Sequence, residues 1–280
     1  MNMPKITLPD GETVPAYGQG TWHMGESRGR RADEVAALKL GIELGIRLID
    51  TAEMYGSGVA EEIVAEAMAG RRDELFIVSK VLPYNASRRG TIEACERSLK
   101  RLKTDRIDLY LLHWTGSHPF AETLAGFEEL RRQGKIRHHG VSNFDRKDME
   151  EWYRLTGGKT VASNQILYNL ARRGPEYDLI PWCRERNISI MAYSPIEQGR
   201  MLGHKALAEV AARHGSATPA QVALAWLQRQ DGMIVIPKAS RQEHVRENLG
   251  ALDLTLTDDD LATLDRAFPP PKGRTALGML

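Results

Sequence analysis

Cysteine is scarce in this sequence of 280 residues, which contains only Cys95 and Cys183. Neither residue stands in a spacing typical of a zinc site or a redox pair, so the sequence excludes a disulfide framework and a CxxC centre. Long apolar runs are also missing: no stretch approaches the roughly 18 residues of a membrane helix, and the N-terminal segment lacks the apolar core of a signal peptide. We therefore expect a cytoplasmic protein without a membrane anchor.

An excess of charge of one sign is absent as well. Basic residues number 38 and acidic residues 37, which leaves a formal net charge of +1. This balance creates no field that would attract nucleic acid or an anionic membrane, so we expect a small molecule as the partner. A compact surface of balanced charge predicts a monomer. The hydrophobic fraction of 42% is that of a globular protein that needs no metal to fold.

Short β-forming apolar runs alternate along the chain with longer segments of helical period, a pattern that favours a parallel sheet. Eight such units follow one another without a linker, so residues 1–280 are predicted to form one domain. A closed (β/α)8 barrel explains this pattern better than an open doubly wound sheet. An N-terminal hairpin with a turn at Asp10 and Gly11 is predicted to close the bottom of the barrel, and residues 258–267 to form an extra C-terminal helix. The predicted strands are residues 16–17, 48–50, 75–79, 107–112, 139–142, 161–165, 189–193 and 233–236. The predicted helices include residues 175–186 and a compound helical region, 206–228, in which Thr218 and Pro219 form a cap and first turn, and the residues after Pro269–Pro271 are predicted to form an extended tail.

Two glycine-rich segments do not satisfy the patterns of nucleotide-binding loops. In the segment that begins Gly18-Gln19-Gly20, His23 occupies the position of the third glycine of the dinucleotide fingerprint. In the segment that ends Gly157-Gly158-Lys159-Thr160, Tyr153 replaces the leading glycine of a Walker loop. Neither segment therefore predicts a phosphate site.

Polar side chains stand where three consecutive strands are predicted to end: Asp50, Lys80 and His113. Because barrel strands lie about 4.8 Å apart, consecutive strand ends meet at one mouth, and these side chains are predicted to lie about 5 to 10 Å from one another. Tyr55 follows on a glycine-containing loop that can fold back over the opening. Taken singly, each side chain has a structural explanation as a turn cap, a surface charge or a packed ring. Their joint placement favours a catalytic site.

The segments that carry these residues resemble the aldo-keto reductases. The matching segments are DTAEMYG from Asp50, Lys80 after its strand, Leu112-His113-Trp114, GKIRHHGVSNF from Gly134, and Ile236-Pro237-Lys238. The resemblance runs from the hairpin to the last helix and is strongest with compact bacterial members such as the methylglyoxal reductases. It implies a (β/α)8 barrel that uses NADPH to reduce small aldehydes and ketones to alcohols.

Carbonyl reduction requires a hydride on carbon and a proton on oxygen, and hence a general acid. Tyr55 is the candidate acid, and each unit by which a neighbour lowers the pKa of its phenol represents about 1.4 kcal/mol. We expect Lys80 to be the cation that lowers it. Asp50 is expected to hold Lys80, and His113 to donate a hydrogen bond to the carbonyl oxygen. The resemblance implies the same four roles.

The resemblance also implies which residues hold NADPH. Strand ends contact the nicotinamide, a loop after the seventh strand covers the pyrophosphate, and a helix opened by a predicted capping box at Ser240 and Glu243 receives the 2′-phosphate and adenine. Relatives often carry small residues in place of Glu197 and Gln198, and an arginine in place of His244. The complete predicted set is Thr21, Trp22, Asp50, Ser142, Asn143, Gln165, Tyr193, Ser194, Ile196, Gly199, Lys238, Ala239, Ser240, Arg241, His244, Glu247 and Asn248.

An aromatic wall is predicted to bind the substrate, and such walls accept small carbonyl compounds generally. No metal site is predicted, because the histidines lack ligand spacing. A second function stays open for the same scaffold, that of a nucleotide-sensing or partner-binding protein with little turnover, because a fold does not fix a function. The predicted substrate residues are Trp22, Met54, Tyr55, His113 and Trp114, with Tyr84, Met279 and Leu280 as additions.

Overall fold

Eight parallel strands form a barrel in the structure, a computed structural model that describes residues 3–280. Each strand pairs with its neighbours in sequence, from β3 to β10. The ends of the sheet meet through parallel bridges from Tyr17 to Val235 and from Gly20 to Lys238, which close the barrel. The predicted (β/α)8 architecture is confirmed. The strands are β3 (Gly18–Gly20), β4 (Leu48–Asp50), β5 (Phe76–Val81), β6 (Ile107–Leu112), β7 (Ile136–Ser142), β8 (Ser163–Leu167), β9 (Ser189–Tyr193) and β10 (Met233–Val235).

The first barrel strand differs from its prediction at residues 16–17. Those residues pair with β10, whereas the strand that pairs with β4 comprises Gly18–Gly20. Glycine has a low strand propensity, which hid this segment from sequence analysis. The close approach of neighbouring strands explains the glycines: a Cβ at Gly18 would lie 2.4 Å from Cδ2 of Leu48, and one at Gly20 would lie 2.9 Å from the carbonyl oxygen of Ile236.

The predicted hairpin precedes the barrel. Strands β1 (Lys5–Thr7) and β2 (Thr13–Pro15) pair antiparallel around a turn that contains Asp10 and Gly11. Gly11 has a φ of 90°, a left-handed conformation that favours glycine. Glu12 and Asp10 contact His138 near the amino end of β7, so the hairpin covers the end of the barrel opposite the strand carboxyl ends.

The helices form a layer around the barrel, and Asp258–Ala267 is the predicted extra helix. The single helix predicted over residues 175–186 is instead a 3-10 turn at Gly174–Glu176 followed by a short helix, because Asp178 has a non-helical φ of −142°. The compound region 206–228 is two helices, and Thr218 caps the second with Pro219 in its first turn, as predicted. The helices are α1 (Arg31–Glu43), α2 (Val59–Ala67), α3 (Arg88–Leu102), α4 (Phe120–Arg132), α5 (Arg146–Arg154), α6 (Leu179–Arg184), α7 (Lys205–Arg213), α8 (Pro219–Gln228), α9 (Gln242–Leu249) and α10 (Asp258–Ala267).

The core has two layers. A small cluster fills the barrel interior, and a larger one lies between the strands and the helices. The interior cluster fills the lower part of the barrel with side chains such as those of Phe76, Val78, Leu109 and Met191. Because the interior is packed rather than open, a ligand can enter only at the mouth formed by the carboxyl ends of the strands.

Candidate active site

The side chain of Lys80 is the centre of a polar cluster at the mouth. Its Nζ donates to both carboxylate oxygens of Asp50 at 2.9 Å, to the carbonyl oxygen of Thr51 at 2.9 Å and to the hydroxyl of Tyr55 at 3.1 Å. Lys80 is 0% exposed and Asp50 is 3% exposed. A buried ammonium group is tolerated only when its charge is compensated. Asp50 therefore fixes both the position and the charge of Lys80.

Tyr55 begins a tight turn that connects β4 to α2. The three residues after it have left-handed backbone conformations, with φ of 54° at Gly56, 55° at Ser57 and 94° at Gly58. The prediction that glycines fold this loop back over the opening is confirmed. The Tyr55 ring packs edge-on against Trp22, with the ring centroids 4.9 Å apart, and its hydroxyl faces Lys80.

The direction of the pKa shift of Tyr55 differs from the sequence-based expectation. Burial raises the pKa of Tyr55 well above its ordinary value, and the negative charge of Asp50 raises it further. The expectation that Lys80 lowers this pKa is wrong for the protein alone, because Asp50 neutralises the ammonium and the phenol lies out of water. Burial lowers the pKa of Lys80, against the opposing effect of Asp50. Tyr55 therefore holds its proton at neutral pH.

His113 follows β6 and lies beside the phenol. Its ring centroid is 5.8 Å from that of Tyr55, and its side chain lines the cavity at the mouth. Burial lowers the pKa of His113 well below its ordinary value, and the charge of Lys80 lowers it further. The imidazole is therefore neutral at neutral pH. Its Nδ1 is buried and has no hydrogen-bond partner within the described part of the chain.

A cavity of about 750 Å³ opens above these four side chains. All five residues predicted to bind substrate line it, so Trp22, Met54 and Trp114 share its wall with Tyr55 and His113. Most residues predicted to hold the cofactor also line it, namely Trp22, Asp50, Ser142, Asn143, Gln165, Tyr193, Ser194, Ile196, Gly199, Lys238, His244, Glu247 and Asn248. Four members of the predicted set lie outside the described lining: Thr21, Ala239, Ser240 and Arg241.

Hydrogen bonds connect the catalytic candidates to the predicted nicotinamide contacts. Gln165 donates from Nε2 to Oδ1 of Asp50 at 2.7 Å, and Ser142 donates to the carbonyl oxygen of Gln165 at 2.9 Å. Asn143 accepts a hydrogen bond from the hydroxyl of Tyr193 at 2.9 Å, so these two residues, both predicted to contact the nicotinamide, are bonded to each other. Thr21, which is fully buried, donates to the carbonyl oxygen of Asp50 at 2.9 Å and supports the cluster from behind.

The loop after β9 has an unusual backbone. Glu197, Gln198 and Gly199 have positive φ values of 50°, 55° and 85°. Glu197 is 5% exposed and turns away from the cavity, where it accepts hydrogen bonds from Asn169 and Arg172, each at 2.8 Å. Gly199 lines the cavity. The side chain of Glu197 is thus held outside the cavity by Asn169 and Arg172, and the loop still reaches the cavity through Gly199.

The segment from Lys238 to α9 forms the opposite end of the cavity. The predicted capping box at Ser240 and Glu243 is wrong, because the helix begins at Gln242 and its N-cap residue is Arg241, whose side chain makes no capping bond. The hydroxyl of Ser240 is buried and has no hydrogen-bond partner among residues 3–280. The side chain of Lys238 lines the cavity, and its burial lowers the pKa of its amino group.

Sequence reasoning missed several cavity residues. Leu202 and Ala220 line the cavity, but nothing in their local pattern distinguishes them from other loop or core residues. Gln198 and Ile236 also line it, and both stand in segments that the resemblance singles out, although neither is predicted as a contact. Met279 and Leu280, predicted additions to the substrate end, line the cavity, whereas Tyr84 is 71% exposed and lies outside its lining. The tail after Pro271 has no regular secondary structure, as predicted, and Arg274 ties it to Asp178 at 3.3 Å.

The described residues form neither a metal centre nor a membrane-spanning helix. The chain from residue 3 to residue 280 contains no group of three or more His, Cys, Asp or Glu side chains that could hold a metal ion. None of the helices formed by these residues is both long and apolar enough to cross a membrane. Cys95 and Cys183 are buried and free.

Comparison with known proteins identifies relatives along the whole chain. A sequence model of the aldo/keto reductase family matches residues 17–268. Methylglyoxal reductase YeaE of Escherichia coli (strain K12) is 50% identical over 285 aligned positions, which cover 100% of both chains. Two crystal structures of aldo-keto reductases from Klebsiella pneumoniae, one in complex with NADP and acetate and one with NADPH, superpose with TM-scores of 0.96 and 0.95. Each is 46% identical and covers 100% of both chains. The alternative of a nucleotide-sensing protein gains no support from these relatives.

Proposed function

Because this chain belongs to the aldo/keto reductase family, we propose that it is an NADPH-dependent reductase of small aldehydes and ketones, with Tyr55 as the proton donor. The observation that carries the proposal is the contact of 3.1 Å between the Tyr55 hydroxyl and the buried ammonium of Lys80 at the wall of the cavity.

The donor set of the cavity fits NADPH. At one end, Gln165 and Ser142 present amide and hydroxyl groups near Asp50, as a nicotinamide carboxamide requires. At the other end, Lys238 supplies a cation, and the buried hydroxyl of Ser240 stands two residues from it without a partner. Cations and free donors at the start of a helix suit a phosphate group. His244 lies on the same helix and also lines the cavity.

The reaction adds two electrons and two hydrogens to a carbonyl group. The bound cofactor supplies a hydride to the carbonyl carbon. Tyr55, protonated at neutral pH because burial raises its pKa, transfers the phenolic proton to the carbonyl oxygen as the C–O bond becomes single. The departing proton leaves a phenolate, and Lys80 stabilises it through the hydrogen bond that Nζ already donates.

Asp50 and His113 support this proton transfer in different ways. Asp50 keeps Lys80 charged and in contact with the phenol, because the carboxylate accepts two hydrogen bonds from Nζ. His113 is neutral, so it has one N–H to donate to the carbonyl oxygen and no positive charge that would repel Lys80. Trp22 and Trp114 form an apolar wall that accepts small carbonyl compounds such as methylglyoxal and aromatic aldehydes.

Turnover of NADPH with a panel of aldehydes that includes methylglyoxal tests the proposal. Replacement of Tyr55 by Phe removes the proton and keeps the ring, so kcat should fall about 10²- to 10⁴-fold while calorimetric NADPH affinity stays unchanged. Oxidation of NADPH by none of the aldehydes, although the protein binds NADPH, would contradict the proposal. The affinities for NADPH and NADH should differ in the unmodified protein and converge in Arg241→Ala if Arg241 contributes to the 2′-phosphate site.

We also propose that residues 1–280 act as a single domain and as a monomer in the cytoplasm. The free, buried thiols of Cys95 and Cys183 fit a reducing compartment. Large exposed hydrophobic side chains among the described residues are limited to Tyr84, Tyr177, Met279 and Leu280, which are too few to form the apolar core of a stable dimer face. Light scattering at increasing protein concentration tests the monomer, because a constant mass of one chain is expected.

A further inference from the structure

Glu61 is a buried carboxylate that the proposed reaction does not use. It is the third residue of α2, it is 0% exposed, and it lies outside the lining of the cavity at the mouth. Its Oε1 accepts a hydrogen bond from the hydroxyl of Ser79 at 2.6 Å, and its Oε2 accepts one from Nε of Arg101 at 2.6 Å. Burial of a carboxylate is costly unless it is paired, so this arrangement holds three elements together at one point.

These hydrogen bonds join the backbone that carries the ammonium to the backbone that carries the phenol. Ser79 directly precedes Lys80 on β5, and side chains alternate along a strand, so Ser79 faces the helix layer while Lys80 faces the mouth. Glu61 stands at the start of the helix into which the Tyr55 turn leads. The link therefore lies on the side of the strand remote from the substrate.

The turn between Tyr55 and α2 needs such a link. Glycine adopts positive φ readily, but Ser57, with a φ of 55°, is a non-glycine residue in a sparsely populated region, and such a conformation persists only when its surroundings hold it. Arg101 packs directly over this turn: a Cβ at Gly58 would lie 2.7 Å from its Cδ and Nε atoms. By accepting from Nε, Glu61 fixes the guanidinium against the turn as well as fixing its own helix.

We propose that Glu61 is a positioning residue that sets the Tyr55 hydroxyl at hydrogen-bond distance from Lys80, through Ser79 on one side and Arg101 on the other. The proposal rests on the proposed function, in which the phenolate of Tyr55 is stabilised by Lys80. Loss of the link relaxes the turn, lengthens the contact of 3.1 Å and weakens this stabilisation when the proton leaves. The other residues that line the cavity keep their positions, so ligand binding is preserved.

The test compares Glu61→Ala and Glu61→Gln with the unmodified enzyme in the reduction of methylglyoxal by NADPH. In Glu61→Ala, kcat should fall about ten- to hundredfold, as small misplacements of reacting groups do. KM for methylglyoxal and the dissociation constant of NADPH should stay as in the unmodified enzyme. The solvent deuterium isotope effect on kcat should rise, because proton transfer becomes slower. Glu61→Gln should recover much of the lost kcat, because its side chain can still accept from Ser79.

Asp108→Asn is the matched control. Asp108 is also 0% exposed and paired with arginines, but it lies near the amino end of β6, remote from the mouth. This variant should lower the melting temperature, while kcat per folded molecule and the isotope effect stay as in the unmodified enzyme. If Glu61→Ala behaves as Asp108→Asn does, Glu61 only stabilises the fold and the proposal is overturned.

Two further measurements test the proposal if Glu61→Ala does not fold. Ser79→Ala removes one of the two hydrogen bonds, and kcat should fall about tenfold or less with the same rise in the isotope effect; an unchanged kcat and isotope effect would overturn the proposal. A crystal structure of Ser79→Ala should show a longer distance between the Tyr55 hydroxyl and Lys80 Nζ, and an unchanged distance would overturn the proposal. If the unmodified protein reduces no carbonyl compound, the proposed function fails, and this distance alone decides the positioning role.

Discussion

The two ends of the barrel each contain a fully buried charge, but they use it differently. At the floor, which we define as the amino ends of the strands, Asp108 accepts from Arg72 at 2.7 Å, from Arg137 at 3.0 Å and from the backbone N–H of Ile77 at 2.8 Å. At the mouth, the buried charge is the ammonium of Lys80, and one of its hydrogen bonds goes to a phenol that opens onto a cavity.

The hydrogen bonds of the Asp108 network at the floor are satisfied, whereas polar groups at the mouth lack partners. Arg72 also donates to backbone carbonyl oxygens of Leu75 and Arg106, so the floor network is closed on itself. The mouth instead has a buried imidazole nitrogen of His113 without a partner in the described chain and a run of left-handed residues after Tyr55. Unpaired groups and strained turns cost stability and persist where they serve a ligand. The comparison assigns stability to the floor and chemistry to the mouth.

The largest effect is expected from Lys80→Met. This change leaves the carboxylate of Asp50 buried without its ion pair, which should lower the free energy of unfolding by about 3 to 5 kcal/mol. It also removes the donor that stabilises the phenolate, so kcat should fall about 10²- to 10³-fold. Denaturant titration and single-turnover kinetics with NADPH measure the two effects. A variant that kept its full kcat would remove Lys80 from the reaction.

A smaller effect, limited to stability, is expected at the floor. Asp108→Asn weakens charge-assisted hydrogen bonds to Arg72 and Arg137 and should lower the free energy of unfolding by about 2 to 3 kcal/mol. Because the floor does not touch the cavity, kcat per folded molecule should stay unchanged. Urea titration and steady-state kinetics on the same preparation check this result. A decrease in kcat as large as that of Lys80→Met would contradict the assignment of stability to the floor and chemistry to the mouth.

The smallest effect, counted per pH unit, separates a structural histidine from one at the mouth. His139, on β7, is 0% exposed and its ring stacks on Phe127; burial lowers its pKa from 6.5 to about 3. Above pH 6.5 both folded and unfolded states are neutral at this residue. Below it only the unfolded state gains the proton, so stability should fall by about 1.4 kcal/mol per pH unit until the folded pKa is reached.

His139→Gln should remove this part of the decrease in the free energy of unfolding at acid pH and leave kcat unchanged. His113→Gln should also reduce the decrease in the free energy of unfolding at acid pH, because burial lowers the pKa of His113 as well. Unlike His139→Gln, it should lower kcat. Unfolding free energies of the three proteins across the acid range provide the comparison. Parallel curves for His139→Gln and the unmodified protein would show that His139 is not the group that titrates.

The candidate catalytic side chains could be predicted because each stands at or next to the end of an apolar strand, and a polar residue in that position has few structural explanations. Asp50, Lys80 and His113 follow this rule, and strand order alone brings them together. Glu61 and Arg101 could not be predicted in the same way. They stand 40 residues apart on two helices, and charged residues on helices are usually solvated. Only the packing of α2 against α3 and β5 reveals that both meet behind Tyr55.

The other errors have local physical causes. The strand at Gly18–Gly20 was missed because close strand approach requires residues of low strand propensity. The sign of the Tyr55 pKa shift was wrong because a sequence shows a neighbouring cation but not the depth of burial or the counter-charge that cancels it. The capping box at Ser240 failed because α9 begins one residue later than its motif predicts, with Arg241 at the N-cap.

The distribution of tryptophan gives the molecule a built-in optical reporter. Trp152, Trp182 and Trp226 are at most 5% exposed and lie in the larger core cluster, where their emission should be constant. Trp22 and Trp114 are half-buried in the cavity wall. Occupancy of the mouth should therefore quench the long-wavelength part of the intrinsic fluorescence and leave the short-wavelength part unchanged, so that loading of the site can be followed in real time without a label.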